Sequence, residues 1–137
     1  MKLVGTLALL ASLTACASTH AINPAVASVS FERAQDVEVK LVNFEFRPAT
    51  IRLEAGKPYA LRLTNAESGG HDFTAPEFFA AARIAPEDVD SVRDGQVELA
   101  GGVSATIHLV PSAGTFNLVC THAGHVLLGM KGKIIVS

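Results

Sequence analysis

Residues 116–136 read FNLVCTHAGHVLLGMKGKIIV, and both ends of the stretch alternate. Side chains on a strand repeat every second residue, so Phe116, Leu118 and Cys120 fall on one side of an extended chain. Met130, Ile134 and Val136 fall on one side of another. A hairpin joining the two strands returns Met130 to the place where Cys120 ends. Between them the loop carries His122 and His125, so one thiol, two imidazoles and one thioether, all able to bind a soft transition metal, share one short loop. Sulfur is scarce elsewhere, with two Cys and two Met in 137 residues.

Upstream the same period continues. Val37, Val39 and Leu41 alternate with Glu38 and Lys40; Ile51 and Leu53 with Arg52 and Glu54; Tyr59, Leu61 and Leu63 with Arg62 and Thr64. Val103, Ala105, Ile107 and Leu109 face one way, while Ser104, Thr106 and His108 face the other. Turn signals at Arg47-Pro48, at residues 55–58 (AGKP) and at residues 111–114 (PSAG) separate these runs. Residues 76–93 (PEFFAAARIAPEDVDSVR) lack alternation and read as one or two short helical turns on a long connection. Short strands, Gly- and Pro-rich turns and little helix predict an all-β fold, a two-sheet β-sandwich with a short helical insert. Phe44, Phe46, Phe73, Phe78, Phe79 and Phe116 are expected in the core or beneath the insert.

The length suits one domain able to bury a core without disulfides. A formal charge of −2, with eleven Lys and Arg scattered along the chain, gives no basic run to attract nucleic acid. Residues 1–15 set Lys2 before an apolar run too short to span a membrane as a mature helix, which reads as a signal peptide. Its end, Leu13-Thr14-Ala15-Cys16, resembles the lipobox of bacterial lipoproteins and implies lipidation at Cys16; cleavage after Ala15-Cys16-Ala17 is the alternative. Residues 16–35 read as a tether and residues 36–137 as the folded domain. Export leaves Cys120 alone in an oxidising compartment, where a thiol is a liability unless something holds it, a metal or a disulfide to Cys16.

A trigonal metal site needs one more donor. His71 follows the strand of residues 59–65 and the flexible Glu67-Ser68-Gly69-Gly70, and it comes from a different part of the sandwich. One distant His with Cys, His and Met from a single loop is the donor set of a His2Cys copper site with a long axial thioether, acceptable to both Cu(I) and Cu(II). Taken singly, His71 reads equally as a polar loop residue and Met130 as a core filler. His122 offers a competing imidazole; His125 is preferred because His122 is cramped by its closeness to Cys120. His108 and His20 are expected to be solvated.

The segment Cys120-x4-His125-x4-Met130, followed by residues 131–136 (KGKIIV), resembles the copper loop of the cupredoxins, the blue copper proteins related to plastocyanin and azurin. The resemblance covers about residues 36–137 and implies a Greek-key sandwich holding one copper ion. By position it implies His71, Cys120, His125 and Met130 as ligands. It also implies that Asp72, where Asn is common in the family, pairs with Thr121 to latch the two ligand loops. The implied function is a one-electron carrier in the bacterial cell envelope, not an enzyme, docking transiently on redox partner proteins through Val126, Leu127 and Leu128 beside His125. It would be periplasmic, or membrane-anchored through the lipid on Cys16. Copper buffering or delivery is the alternative function, and a metal-free structural domain a third.

Overall fold

The computed structural model describes residues 29–137. The signal peptide, the lipobox with Cys16, and most of the tether, including His20, lie outside the described residues.

Ten strands build two sheets: β1 (Gln35–Val42), β2 (Glu45–Arg47), β3 (Thr50–Leu53), β4 (Tyr59–Asn65), β5 (His71–Thr74), β6 (Arg83–Ile84), β7 (Gln96–Leu99), β8 (Ser104–Val110), β9 (Gly114–Val119) and β10 (Lys131–Val136). One sheet has the order β2-β1-β4-β8-β6 and the other β3-β10-β9-β5-β7. The chain changes sheet at every connection from β2 to β9, the wiring of a Greek-key sandwich. β1 runs parallel to β4 and β3 parallel to β10, while the remaining named pairs are antiparallel.

Alternation places the core as the sequence predicts. Val39, Leu41, Leu61, Leu63, Ile107 and Leu109 line the inner face of one sheet; Ile51, Leu53, Leu118, Ile134 and Val136 line the other, all buried. The insert holds helix α1 (Pro76–Ala81), with Pro76 in its first turn where a missing N–H costs nothing, and a 3-10 turn (Pro86–Ser91). Phe78 and Phe79 of α1 drive into the core, Phe79 against Phe73 at 5.9 Å and Phe78 against Phe116 at 5.6 Å between ring centroids. Burying each such ring contributes about 1.5–3 kcal/mol relative to exposure, so the insert is part of the sandwich rather than an appendage.

Several features depart from the alternation. Val103 is exposed, because Gly102, at φ 74°, turns the chain and Val103 N–H closes that turn on Ala100 O before β8 begins. β5 carries no period-two signal, since His71, Asp72 and Phe73 are all buried, leaving no outward residue to mark it. The two-residue β6 interrupts the insert and pairs with the end of β8. His108 is half-buried rather than freely solvated: its Nδ1 lies 2.8 Å from Asp88 Oδ2, which ties the 3-10 turn to β8, and Phe31 covers its ring. Among the described residues no helix is long and apolar enough to cross a membrane.

Candidate metal centre

The ends of β1, β4, β7 and β9 and the starts of β5, β8 and β10 meet at one end of the sandwich. Cys120 comes directly after β9 and is wholly buried. Its N–H donates to Met130 O at 3.2 Å, and Met130 N–H donates to His125 O at 2.9 Å. A helical turn closes the intervening loop, with Leu128 N–H on Gly124 O; Gly124 at φ 83° and Gly129 at φ 106° supply conformations that side chains resist. The loop therefore curls back, and Met130 is buried at the start of β10.

His71 enters from β5 with no exposed surface. The buried side chain of Asn65 anchors the loop before it, donating to Gly69 O at 2.8 Å and Leu99 O at 3.0 Å. Three donors then converge. His71 Nδ1 is 3.1 Å from His125 Nδ1, Cys120 Sγ is 3.3 Å from His125 Nδ1, and Cys120 Sγ is 3.8 Å from His71 Nδ1. Phe44 sets its ring edge-on against His125, with centroids 4.9 Å apart.

His122 stands outside this triangle. The strand ends at Val119 and the chain turns, so positions 120 and 122 no longer share a face. His122 Nε2 instead meets Glu98 Oε1 at 2.9 Å, and its ring stacks on that of His125. Asp72, His122 and Glu98 form a second group of possible donors, but both oxygens of Asp72 are already engaged. Thr121 N–H donates to them at 3.0 and 2.8 Å, Thr121 Oγ1 at 2.8 Å and Thr74 Oγ1 at 2.6 Å. Asp72 and Thr121 thus tie the start of β5 to the residue after Cys120, with Gln96 Nε2 donating to Thr121 Oγ1 from β7. Asp72 N–H also points at Cys120 Sγ, 3.5 Å away.

Burial raises the Cys120 thiol above its ordinary pKa. Burial also lowers that of His71, helped by the neighbouring His125 and His122 rings. Both shifts disfavour charge at the triangle in the absence of a cation. Three donors 3.1–3.8 Å apart suit one ion with bonds of about 2.0–2.3 Å, and two imidazoles with a thiolate are the donor chemistry of copper. The residues fit one copper ion.

A family model described as a cupredoxin-like domain matches residues 6–136. The chain belongs to the cupredoxins. Solved structures similar to this cupredoxin include auracyanin B, at 24% identity over 76% of this chain and 89% of that one, TM-score 0.57. Auracyanin A, a "blue" copper protein from the green thermophilic photosynthetic bacterium Chloroflexus aurantiacus, matches at 16% identity over 74% and 98%, TM-score 0.53. The McoA multicopper oxidase of the hyperthermophile Aquifex aeolicus matches at 14% identity over 80% of this chain but 30% of its own, TM-score 0.61. At these identities the likeness is one of fold. No curated protein matches the chain.

Asn65, Thr74, Gln96 and Asn43, the last 3.0 Å from His71 Nε2, escape the sequence reading. Only Asn65 leaves a usable trace, since Asn-x-Glu before Ser-Gly-Gly is turn chemistry, and its Oδ1 accepts from Glu67 N–H as such a turn requires.

The pKa directions make copper uptake pH-dependent in this cupredoxin. With the thiol raised and His71 lowered, the metal-free site at neutral pH holds a protonated Cys120 and a neutral His71, and a copper ion that took Cys120 as a ligand would have to displace the thiol proton. One proton should leave per copper near pH 7, and apparent affinity should rise about tenfold per pH unit until the thiol's own pKa is passed. Titration in weakly buffered solution, with a pH indicator, counts that proton.

Proposed function

We propose that this cupredoxin is a type 1 copper protein in which His71, Cys120 and His125 are the trigonal ligands and Met130 the axial one, and that it carries single electrons between redox proteins in the bacterial cell envelope. The observation that carries the proposal is the His71–Cys120–His125 triangle, two of its residues buried and the third half-buried, with donors 3.1–3.8 Å apart. Bound copper would supply the Cu(I)/Cu(II) couple. The protein's contribution is rigidity: the Asp72–Thr121 latch and the Cys120–Met130 backbone bond hold the donors in a geometry acceptable to both oxidation states, so little rearranges when the electron moves.

His125 is the ligand nearest solvent, half-buried where His71, Cys120 and Met130 are fully buried. Beside it Leu127 is 91% and Leu128 62% exposed, a small apolar tip suited to brief docking. Signal-peptide export of residues 1–15 and a lipid on Cys16 complete the reading, placing the domain on the periplasmic side of a membrane. Replacing Leu127 and Leu128 together by Ser should slow electron self-exchange about tenfold or more, the loss of about 1.4 kcal/mol of docking energy, with the visible spectrum unchanged. Unchanged exchange would move the docking surface elsewhere.

His122 and Glu98, beside the centre at the protein surface, favour a second reading, copper buffering or delivery. The two readings divide on exchange. A carrier keeps its copper through repeated reduction and reoxidation beside a Cu(I) chelator, whereas a delivery protein surrenders it.

A further inference from the structure

Asn43 follows the end of β1, and Glu67 lies on the loop before β5; neither is one of the three converging donors. The Glu67 carboxylate accepts from Asn43 twice, from its backbone N–H to Oε1 at 3.3 Å and from Nδ2 to Oε2 at 3.2 Å. A carboxylate only accepts, so the amide nitrogen of Asn43 must face it and Oδ1 must face away. Oδ1 lies 3.0 Å from His71 Nε2. An amide oxygen also only accepts, which puts a hydrogen on Nε2. A neutral imidazole has one ring hydrogen, so Nδ1 is left with a bare lone pair, directed at Cys120 Sγ and His125 Nδ1. Glu67 is itself held, its N–H donating at 3.0 Å to Oδ1 of the buried Asn65.

We propose that Asn43 and Glu67 are positioning residues of the metal centre, a hydrogen-bond chain that sets the tautomer and ring angle of His71 before copper arrives. This rests on His71 being a ligand. The chain matters because burial strips His71 of the water that would otherwise satisfy Nε2, and a ring turned over or carrying its hydrogen on Nδ1 presents no lone pair to the metal. Its two members follow neighbouring parallel strands of one sheet, β1 and β4, so their bond also ties the β1–β2 loop to the β4–β5 loop beside the centre.

The test is made on full-length protein with 15N-labelled histidine. Without metal, long-range 1H–15N correlations should show His71 as the Nε2–H tautomer, and Asn43→Ala should lose that preference. Copper affinity of Asn43→Ala should fall about 10- to 100-fold, as for other outer hydrogen-bond partners of metal ligands. The pair Asn43→Asp with Glu67→Gln reverses the polarity of the bond between them but keeps an acceptor facing His71, and it should recover both tautomer and affinity. A wild-type His71 protonated on Nδ1 would overturn the proposal. So would an Asn43→Ala protein with unchanged tautomer and affinity, or a reversed pair that recovers neither. A wild-type protein that takes up no copper overturns the ligand assignment instead, and the tautomer, read without metal, still decides whether Asn43 and Glu67 set the ring.

Discussion

Cys120→Ser protein titrated with Cu(II) is expected to show no intense visible band, where the wild type turns blue. The band is charge transfer from thiolate to copper, and only Cys120 among the described residues offers a thiol. A serine hydroxyl does not ionise at neutral pH, so the variant keeps two imidazoles and loses the anionic donor. Affinity should fall by more than about 100-fold, the upper range for removing a mere outer partner of a ligand. The fold should survive. Burying a hydroxyl costs about 1–3 kcal/mol when no partner meets it, and here Asp72 N–H, 3.5 Å from Sγ, can donate to the new oxygen. His122→Ala should keep the band, since Nε2 of that ring is engaged by Glu98 rather than by the triangle. Absorption titration of the three proteins, with thermal unfolding beside it, checks all of this. A blue Cys120→Ser protein would remove Cys120 from the ligand set, and a colourless His122→Ala protein would exchange His122 for His125.

Much of this architecture is written in period two. β1, β3, β4, β8, β9 and β10 each show one face to water, and their boundaries fall within a residue or two of where alternation starts and stops. β5 is invisible for a physical reason: it is covered on both sides, and covering erases the outward residues that reveal a strand. β6 is too short to hold a period at all. The site divides in the same way. Donor chemistry concentrated between residues 120 and 130 is legible because Cys, His and Met are rare and reactive. The groups that hold those donors are not. Asn43, Thr74 and Gln96 are common polar residues whose work depends on which carboxylate, hydroxyl or ring lies within about 3 Å of them. Asp72 sits between the two cases, visible by position through family resemblance. Its partner Thr121 meets it because β5 and β9 are neighbours, whereas Thr74 stands two residues along β5 itself.

Asp72→Ala should destabilise the metal-free protein by about 2–4 kcal/mol, and Asp72→Asn by less than about 1 kcal/mol. The carboxylate is wholly buried and accepts from Thr121 N–H, Thr121 Oγ1 and Thr74 Oγ1. Alanine orphans all three donors. The hydroxyls can turn elsewhere, but the backbone N–H cannot, and each buried donor left unmet costs about 1–3 kcal/mol. Asparagine keeps an acceptor for that N–H, and its NH2 can donate to a threonine hydroxyl. Chemical denaturation separates the two variants. Asparagine also removes a negative charge whose Oδ2 lies 3.8 Å from Cys120 Sγ. Cu(II) carries one more positive charge than Cu(I), so a nearby carboxylate favours the oxidised form, and its loss should raise the reduction potential. A unit charge about 6 Å away at an effective dielectric constant of about 20 is worth about 3 kcal/mol, or about 0.1 V for one electron. Voltammetry of the copper-loaded Asp72→Asn protein reads the shift directly. An unmoved potential with unchanged stability would mean that the latch serves structure alone; a rise near 0.1 V would make Asp72 both the clasp between the ligand loops and the group that holds the centre's potential low.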